Sequence, residues 1–483
     1  MVQIKPIVMT LGFILCIIAA TMLLPAIVDF TIGNHTWFAF FFSSILTFFI
    51  GGLLLLFAYS DEPMQLGLKE GFVLTTTIWV LVVAFAAIPF YKMGLLYTDA
   101  FFEAMSGLTT TGSTVITSLD SQTHGVLLWR SLLQGLGGLG IVFTALIMLP
   151  FLRVGGMQLF QTESSDRSEK VLPRALELVT ATAAIYAVLI VLCFGAYMAF
   201  GMKAFDAICH ALTTVSTAGF STHDESFGYF FVISPALEWV CIVFMILGAL
   251  PFVVFIQMLR GEPAALWNDT QARGLVSLLL VICTIVTFWL MTAQNKTFSE
   301  AIRIATFNIT SIVTTTGYSS GDYTAWGEFA VGLFFILMFV GGCSGSTSGG
   351  IKIYRLQIAG MLSRSHFMHL ISPNRIITMT YNGRRLPEDV PFSVVAFLAI
   401  YMATVGFFTV VLSALGLDLV TSLSAAASAL GNVGPGLGDT IGPAGNYSLL
   451  PVTAKWVLSF AMLLGRLELF TVLVLLRPEF WRS

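Results

Sequence analysis

Ten runs of apolar residues, each of roughly 20 residues or more, follow one another along the chain. Runs of this length are long enough to cross the hydrocarbon layer of a bilayer as helices. The pattern therefore predicts ten transmembrane helices, near residues 7–30, 37–59, 72–91, 124–152, 174–200, 232–260, 272–293, 325–361, 390–414 and 449–476. An even number of spans places both termini on the same side of the membrane.

Four short amphipathic stretches lie between these runs, and each leads into a turn that contains glycine. The pattern predicts short helices over 98–109, 204–216, 299–314 and 420–431, followed by turns at Gly112, Gly219, Gly317 and Gly434. The turn glycines are 107, 98 and 117 residues apart, a spacing that indicates duplication of one unit around an axis. Because the short helices cannot cross a membrane, we expect four re-entrant pore helices in pseudo-fourfold symmetry.

Backbone groups in a turn at membrane depth must be buried in protein or line a water-filled cavity. Four such turns on one axis can direct carbonyl oxygens at a passing cation and replace its hydration shell. Glycine suits this role because it adopts the left-handed conformation without steric cost. The partly negative C-terminal ends of the short helices also favour a cation over an anion. The candidate filter residues are Thr110, Thr111, Gly112, Thr217, Ala218, Gly219, Thr315, Thr316, Gly317, Asn432, Val433 and Gly434.

Composition and charge agree with a membrane protein. The 483 residues are 57% hydrophobic and 10% charged, whereas a soluble domain carries about 25% charged residues. If the N-terminus is cytoplasmic, sixteen Lys and Arg residues lie in inner segments, among them Arg153, Arg167 and Lys170, and only four lie outside. Basic loops are retained on the cytoplasmic side, so both termini are expected there. The first run is too long for a signal-peptide core and is predicted to be a span.

The motifs resemble the Trk/Ktr/HKT superfamily of potassium transporters and, within it, the bacterial TrkH family. Besides the four turns, the resemblance rests on Trp129-Arg130 with Gln134, Gly137-Gly138-Leu139-Gly140, Gly341-Gly342-Cys343-Ser344-Gly345-Ser346-Thr347, Asn432-Val433-Gly434-Pro435-Gly436 and Gly465-Arg466-Leu467-Glu468. It covers essentially the whole chain. It implies potassium as the ion, since serine replaces the first-repeat glycine in some sodium-selective plant members.

The resemblance also implies a biological setting. The chain is expected to take up potassium across the bacterial inner membrane as a homodimer with one pore per protomer, without a cofactor. Its expected partner is a cytosolic TrkA-like ring that binds nucleotides and acts on the gate. The predicted organisation is a two-helix N-terminal domain (1–71), pore repeats at 72–160, 174–262, 270–361 and 390–483, and a cytoplasmic linker at 362–389.

The run at 325–361 is interrupted by ten residues that contain five glycines and four hydroxyl side chains. Glycine costs about 1 kcal/mol relative to alanine in a helix interior, so a break inside the membrane is predicted. By resemblance this loop is a gate below the filter, and the alternative is a helix-packing patch of small residues. The candidate gate residues are Gly341, Gly342, Cys343, Ser344, Gly345, Ser346, Thr347, Gly349, Gly350 and Arg466.

Arg466 lies near the centre of the last span, where a charge is expected to face a cavity or a partner. By resemblance it is an electrostatic barrier below the filter, and the alternative is a buried structural ion pair. Glu468 is a poor local partner because it projects from another helix face. Uptake coupled to sodium or protons would predict a second ion site with an intramembrane carboxylate, and Glu468 is the only deep candidate beyond the pore entrances. Arg130 is interpreted as structural.

Other motifs do not indicate nucleotide binding, metal binding or catalysis. Residues 135–140 match a dinucleotide-binding glycine pattern, but they lie in a span and not after a strand of a βαβ unit. The six cysteines show no metal-binding or disulfide spacing, and no cluster for intramembrane catalysis is present, so the chain is not expected to be an enzyme.

The histidines and the acidic residues near the short helices are expected to have structural roles. His366 and His369 are interpreted as surface residues and His210 as packing behind the filter. The acidic residues Asp99, Asp206 and Glu300 are expected to stabilise helix N-termini, and they can also concentrate cations at the pore mouth.

Overall fold

A computed structural model describes residues 3–60, 67–148, 171–375 and 377–482. Within these ranges the chain is helical apart from connecting segments and one small antiparallel hairpin, in which β1 (Thr380–Tyr381) pairs with β2 (Arg384–Arg385). The basic residues Arg153, Arg167 and Lys170, and the predicted end of the first repeat near residue 160, lie outside the described residues.

The helices fall into two groups by length. The long helices are α1 (Ile4–Ile32), α2 (Trp37–Ala58), α3 (Leu68–Ala86), α6 (His124–Met148), α7 (Val171–Ala199), α12 (Thr270–Ala293), α15 (Ile353–Ile371) and α16 (Asp389–Ala414). The shorter ones are α4 (Ile88–Lys92), α5 (Tyr97–Leu108), α8 (Ala204–Val215), α9 (Ala236–Ala249), α10 (Phe252–Leu259), α11 (Ala265–Asn268), α13 (Phe298–Val313), α14 (Glu328–Leu337), α17 (Leu419–Gly431), α18 (Val452–Arg466), α19 (Phe470–Leu473) and α20 (Pro478–Arg482). Short 3₁₀ turns lie at Leu119–Ser121, Ser226–Val232, Thr324–Trp326 and Val474–Leu476.

Seven helical segments in the described ranges are long and apolar enough to cross a membrane, or up to nine if each bent pair is one span. The pairs are α9 with α10, bent by 90°, and α18 with α19, bent by 105°. The predicted run at 325–361 does not form one helix, because α14 ends at Leu337 and α15 begins only at Ile353. The structure therefore shows a multi-pass helical protein in which three of the ten predicted runs are bent or broken.

The N-terminal helix pair packs closely and is anchored to the first repeat. A Cβ on Gly12 in α1 would lie 2.8 Å from the carbonyl oxygen of Gly51 in α2, so the two backbones meet at small residues. At the end of α1 the buried carboxylate of Asp29 accepts a hydrogen bond of 2.7 Å from the backbone N–H of Gly125. This contact ties the pair to the start of α6.

The four short helices predicted before the turns are α5, α8, α13 and α17, with bounds within one or two residues of the prediction. They form the centre of the molecule, and every residue of α5 from Ala100 to Leu108 is buried. Large apolar side chains on the surrounding long helices, such as Phe48, Leu280 and Phe407, are exposed. An exposed apolar surface of this kind is the one expected to face lipid.

Three acidic residues, Asp99, Asp206 and Glu300, lie in the first turns of α5, α8 and α13. Asp99 accepts a hydrogen bond of 2.6 Å from the Lys455 ammonium, which joins α5 to α18. Asp206 accepts a hydrogen bond of 2.8 Å from the Thr222 hydroxyl, and Glu300 pairs with a lysine four residues earlier. These carboxylates remain near the helix N-termini, as predicted, but they also bind side chains that the sequence did not indicate.

Candidate ion filter and gate

The four turns share one unusual backbone conformation. The first residue of each turn has a φ between 51° and 57°, and these residues are Thr110, Thr217, Thr315 and Asn432. The glycine two positions later also has a positive φ, between 78° and 111°. Positive φ is uncommon for residues other than glycine, so its repetition at four equivalent positions indicates four copies of one local structure.

The four turns contact one another in a closed ring. If each turn glycine carried a Cβ, that atom would collide with a carbonyl oxygen of the next turn: Gly112 at 2.4 Å from Ala218, Gly219 at 1.9 Å from Thr316, Gly317 at 2.1 Å from Val433, and Gly434 at 2.7 Å from Thr111. The order runs from the first repeat through the fourth and back to the first. The turns therefore surround one axis, and there is no space for a side chain at the glycines.

A single depression is lined by all four turn glycines, together with residues such as Arg130 and His223. The short helices end at the turns, so their partly negative C-terminal ends lie against the ring. Backbone carbonyls and helix ends of this polarity favour a cation at the ring.

A buried ion pair ties the first and second turns together. Arg130 binds the Glu103 carboxylate at 2.8 Å, and both side chains are almost fully buried. Glu103 also accepts a hydrogen bond of 2.9 Å from the backbone N–H of Val115, just after the first turn. Arg130 donates to the carbonyl oxygen of Ser221 at 2.8 Å, just after the second turn. The structural interpretation of Arg130 agrees with these contacts, but the sequence gave no indication of Glu103 as its partner.

The segment 341–350 is not helical, which removes the alternative in which its small residues pack two helices together. Its backbone is held from the side: the Cys343 N–H donates to the carbonyl oxygen of Ala249 at 2.9 Å, and the Ser344 N–H donates to the Gln271 side chain at 2.8 Å. Nearly every residue of the segment is buried or half-buried. The loop is therefore an ordered part of the protein interior.

This loop lies directly against the helix-side ends of three turns. Thr347 donates to the carbonyl oxygen of Gly248 at 3.0 Å, and its hydroxyl lies 3.1 Å from that of Thr217 in the second turn. Ser348 donates to the carbonyl oxygen of Thr314, before the third turn, at 2.5 Å. A Cβ on Gly349 would lie 2.3 Å from the carbonyl oxygen of Gly431, before the fourth turn. The loop thus contacts the second turn and the ends of the short helices before the third and fourth turns.

Arg466 joins the loop to the first repeat. Its Nη1 donates to the carbonyl oxygen of Thr347 at 3.0 Å and its Nη2 to that of Gly137 at 3.4 Å, while the buried Nε has no hydrogen-bond partner. Within the ranges that the structure describes, Arg466 makes no ion pair with a carboxylate. The alternative interpretation of Arg466 as a structural ion pair therefore has no carboxylate partner among these described residues.

Glu468 has a different partner. Its carboxylate binds Arg355 of α15 at 2.5 Å, and the Arg355 guanidinium lies 3.8 Å from the ring centroid of Phe397. Glu468 and Leu469 both have positive φ, 57° and 50°, at the bend between α18 and α19. The ion pair therefore connects the helix that follows the loop with the break that follows Arg466.

His223 forms a charged cluster beside the depression that the sequence did not indicate. Its Nδ1 donates to the Asp120 carboxylate, its Nε2 lies 3.8 Å from Asp206, and its ring stacks on Tyr229. Burial alone would lower the pKa of His223, but the two carboxylates outweigh burial, so the pKa is raised. The hydrogen bond from His223 in turn lowers the pKa of Asp120.

Three other histidines lie where their structural interpretations place them. His210 is fully buried behind the second turn, with one ring nitrogen 2.8 Å from the carbonyl oxygen of Asp206 and the other 3.1 Å from the Ser221 hydroxyl. His366 and His369 are exposed on α15. The described part of the chain contains no group of three or more His, Cys, Asp or Glu residues that could hold a metal ion.

Several apolar helices around a ring of backbone carbonyls define a multi-pass membrane protein of the transport class. Residues 37–483 match the family model TrkH, described as a cation transport protein. The Trk system potassium uptake protein TrkI of Halomonas elongata is 48% identical over 87% of this chain and 86% of its own length. The Trk system potassium uptake protein TrkH of Escherichia coli K12 is 34% identical over 98% of both chains.

The crystal structure of the potassium transporter TrkH from Vibrio parahaemolyticus superposes with a TM-score of 0.91 at 32% identity, and the match covers 99% of this chain and 100% of that one. The chain therefore belongs to the TrkH family of cation transport proteins. This finding confirms the resemblance inferred from the motifs. The members of this family are transporters and not enzymes.

Proposed function

We propose that the chain takes up potassium through a channel-like pore whose selectivity filter consists of residues 110–112, 217–219, 315–317 and 432–434. The observation that carries the proposal is the closed ring, in which each turn glycine faces a carbonyl oxygen of the next turn. Carbonyl oxygens in such a ring can replace the hydration shell of potassium. The names of the relatives, which are potassium uptake proteins, support the choice of ion.

No chemical step is needed for uptake through such a pore. The membrane potential supplies about 2.3 kcal/mol per elementary charge for each 100 mV, which is sufficient to drive a cation inward. The filter then has two tasks, to favour potassium over sodium and to allow fast exit. One glycine turn per repeat provides few successive binding positions, so modest selectivity is expected.

The loop 341–350 and Arg466 form the proposed gate. Thr347 and Ser348 contact the second and third turns, and Arg466 holds Thr347 from the other side. In this arrangement the loop obstructs the path below the filter, and the positive charge of the Arg466 guanidinium repels cations. Opening requires the loop to move away from the turns, which breaks the hydrogen bond between Arg466 and Thr347.

The proposed membrane arrangement has ten spans with both termini in the cytoplasm and the filter entrance outside. Seven long segments, two bent pairs and α14 with its loop account for the ten. The proposed organisation keeps the N-terminal pair (1–71), the four repeats (72–160, 174–262, 270–361 and 390–483) and the linker (362–389). The distribution of basic residues supports a location in the bacterial inner membrane.

The proposed assembly is a homodimer that binds a cytosolic TrkA-like nucleotide-binding subunit. The linker segment and α15 present exposed basic residues on the proposed cytoplasmic side, among them Arg364 and Arg385. α15 directly follows the loop, so a force applied to α15 would reach the gate. No residue of this chain needs a cofactor for the proposed transport.

Coupled symport is the alternative mechanism, and it requires a free carboxylate within the membrane. Glu468, the deep candidate, is paired with Arg355 at 2.5 Å. A carboxylate in such a pair is neutralised by its partner and is a poor site for a second cation. The ion pair therefore favours a channel-like pore.

Purified protein in liposomes tests the proposal, with rubidium-86 as a surrogate for potassium. We expect uptake that follows the imposed potential without a sodium or proton gradient, and that external potassium inhibits more strongly than sodium. Protein-free liposomes provide the background, and choline replaces the competing ions as a control. A requirement for a sodium or proton gradient would contradict the pore and establish symport.

External pH is expected to change the apparent affinity for rubidium through His223. Because its pKa is raised, His223 binds a proton at a higher pH than a free imidazole. Acidification then adds one positive charge between Asp120 and Asp206, and the net charge of the cluster changes from two negative charges to one. A unit charge near the mouth corresponds to about 0.5–1 kcal/mol, a roughly two- to fivefold weaker apparent affinity.

The measurement is the rubidium concentration for half-maximal uptake at external pH 8 and pH 6, in steps of half a unit. We expect the His223→Gln variant to lose most of this pH dependence because glutamine does not titrate. His35→Gln, at a histidine far along the chain from this cluster, is the control. An equal pH dependence in His223→Gln and the parent protein would contradict the assignment.

A further inference from the structure

The four turns are alike in backbone conformation but differ in what holds them. In the first turn the Thr111 hydroxyl lies 2.8 Å from the Thr109 hydroxyl, and in the third turn the Thr316 hydroxyl lies 2.8 Å from that of Thr314. Each of these pairs links the residue just before the turn glycine to the end of its own short helix. The first and third turns therefore carry their own internal tie.

The second and fourth turns lack this tie because their equivalent residues, Ala218 and Val433, have no hydroxyl group. The fourth turn is held instead through its glycine: the Gly434 carbonyl oxygen accepts hydrogen bonds from the Ser113 hydroxyl at 2.7 Å and from the Tyr447 hydroxyl at 2.9 Å. The Gly434 N–H donates to the Ser428 hydroxyl at 3.1 Å. The fourth turn is thus fixed by side chains outside the turn.

One side chain from the neighbouring repeat binds the second turn on both sides of its glycine. Gln134 of α6 is fully buried, its Nε2 donates to the carbonyl oxygen of Ala218 at 2.7 Å, and its Oε1 accepts from the backbone N–H of Phe220 at 3.0 Å. The two bonds engage the residues on either side of Gly219. The Ala218 carbonyl needs a donor and the Phe220 N–H needs an acceptor. Only one orientation of the Gln134 amide, with Nε2 toward Ala218 and Oε1 toward Phe220, satisfies both groups.

The bonded carbonyl belongs to the ring itself. The Ala218 oxygen is the atom that a Cβ on Gly112 would meet at 2.4 Å. Carbonyl ligands must stay apart to suit potassium, because the smaller sodium ion is coordinated well only if they move inward. The hydrogen bond from Gln134 fixes the Ala218 carbonyl and opposes that movement.

We infer that Gln134 is a positioning residue for ion selectivity, which replaces the missing hydroxyl tie of the second turn and fixes the Ala218 carbonyl in the ring. The inference rests on the proposed filter. Gln134 does not touch the ion; it acts through the Ala218 carbonyl. Its contribution therefore lies in discrimination between potassium and sodium rather than in the maximal rate of transport.

The test compares variants of the full-length protein in liposomes by the inhibition of rubidium-86 uptake by potassium and by sodium. Gln134→Leu removes both hydrogen bonds, and we expect the potassium-to-sodium preference to fall roughly fivefold, the scale of one or two neutral hydrogen bonds. Gln134→Glu keeps the acceptor for Phe220 but replaces the donor to Ala218, so its preference is also expected to fall. Ser131→Ala is the matched control, because this buried hydroxyl on the same helix donates to the carbonyl oxygen of Leu127 within α6.

A rescue experiment separates positioning from general damage. Ala218→Thr places in the second turn the hydroxyl that the first and third turns possess, with Ser216 at the position of its partner. Added to Gln134→Leu, it is expected to restore at least half of the lost preference. The melting temperature of each variant in detergent monitors folding, and a merely structural role for Gln134 would lower it without a change in preference.

The outcomes distinguish this inference from the proposed filter. A parental ion preference in well-folded Gln134→Leu would overturn the inference, and a parental preference in Gln134→Glu would do so if the leucine variant does not fold. Gly219→Ala is measured in parallel. If that variant also keeps the parental preference, the filter assignment itself is wrong; if only the Gln134 variants keep it, the filter stands and Gln134 has no positioning role.

Discussion

Replacement of Gly219 by alanine is expected to remove most of the preference for potassium over sodium. The added Cβ would lie 1.9 Å from the carbonyl oxygen of Thr316, and the backbone φ of 78° is itself unfavourable for alanine. Relief of the overlap must displace the ring, at a cost of about 1–3 kcal/mol, so the preference is expected to fall roughly tenfold or more. The measurement is rubidium-86 uptake in liposomes with potassium or sodium as competitor.

Gly406→Ala is the matched control for this substitution. Gly406 lies within α16, and no heavy atom lies within 4 Å of a Cβ at that position. Alanine is more favourable than glycine in a helix, so this variant should fold at least as well as the parent protein. Gly112→Ser, with a Cβ 2.4 Å from the Ala218 oxygen, is expected to admit sodium more readily. Parental ion preference in both filter variants would count against the ring as the filter.

Replacement of Arg466 by alanine is expected to increase potassium flux. At about 8 Å and an effective dielectric constant near 20, one positive charge repels a passing potassium ion by about 2 kcal/mol. Loss of that charge raises the rate roughly tenfold, if part of the effect is screened by water. The substitution also removes the 3.0 Å hydrogen bond to Thr347 that holds the loop against the turns. Rubidium-86 flux per reconstituted protein is the measurement.

Arg466→Lys separates the two effects. Lysine keeps the charge but lacks the guanidinium group that reaches Thr347 and Gly137 at once. We expect the flux of this variant to lie between those of the parent protein and the alanine variant. Unchanged or lower flux in well-folded Arg466→Ala would contradict the barrier and favour a purely structural role.

The elements of this fold were predictable because each has a local signal. The apolar runs predicted the crossing helices, and the glycine-rich segment 341–350 predicted the break after α14. The short helices were predicted to within one or two residues because the turns that follow them contain glycine at the point where the chain reverses. The bend at 250–251 also has a local cause, since Pro251 cannot continue the hydrogen bonding of α9.

The partners of the polar residues were not predictable from the sequence. Glu103 and Arg130 are 27 residues apart, and Asp99 and Lys455 are 356 apart, so only the folded structure brings them together. The bend after Arg466 has neither glycine nor proline, and Glu468 at this bend pairs with Arg355, 113 residues away. Sequence patterns thus indicate the breaks that contain glycine or proline, whereas the partners of the polar residues come from distant parts of the chain.

The closed ring also governs how the protein is made. The first turn meets the fourth through the bond between Ser113 and Gly434, which are 321 residues apart, near the two ends of the pore-forming sequence. During synthesis, the first three turns are made before the residues of the fourth turn that complete the ring exist. Until then the carbonyl oxygen of Thr111 and the hydroxyl of Ser113 lack their neighbour Gly434 in the fourth turn. A chain that lacks the last repeat therefore leaves polar backbone groups without the partners that they have in the complete ring, which is costly within a membrane.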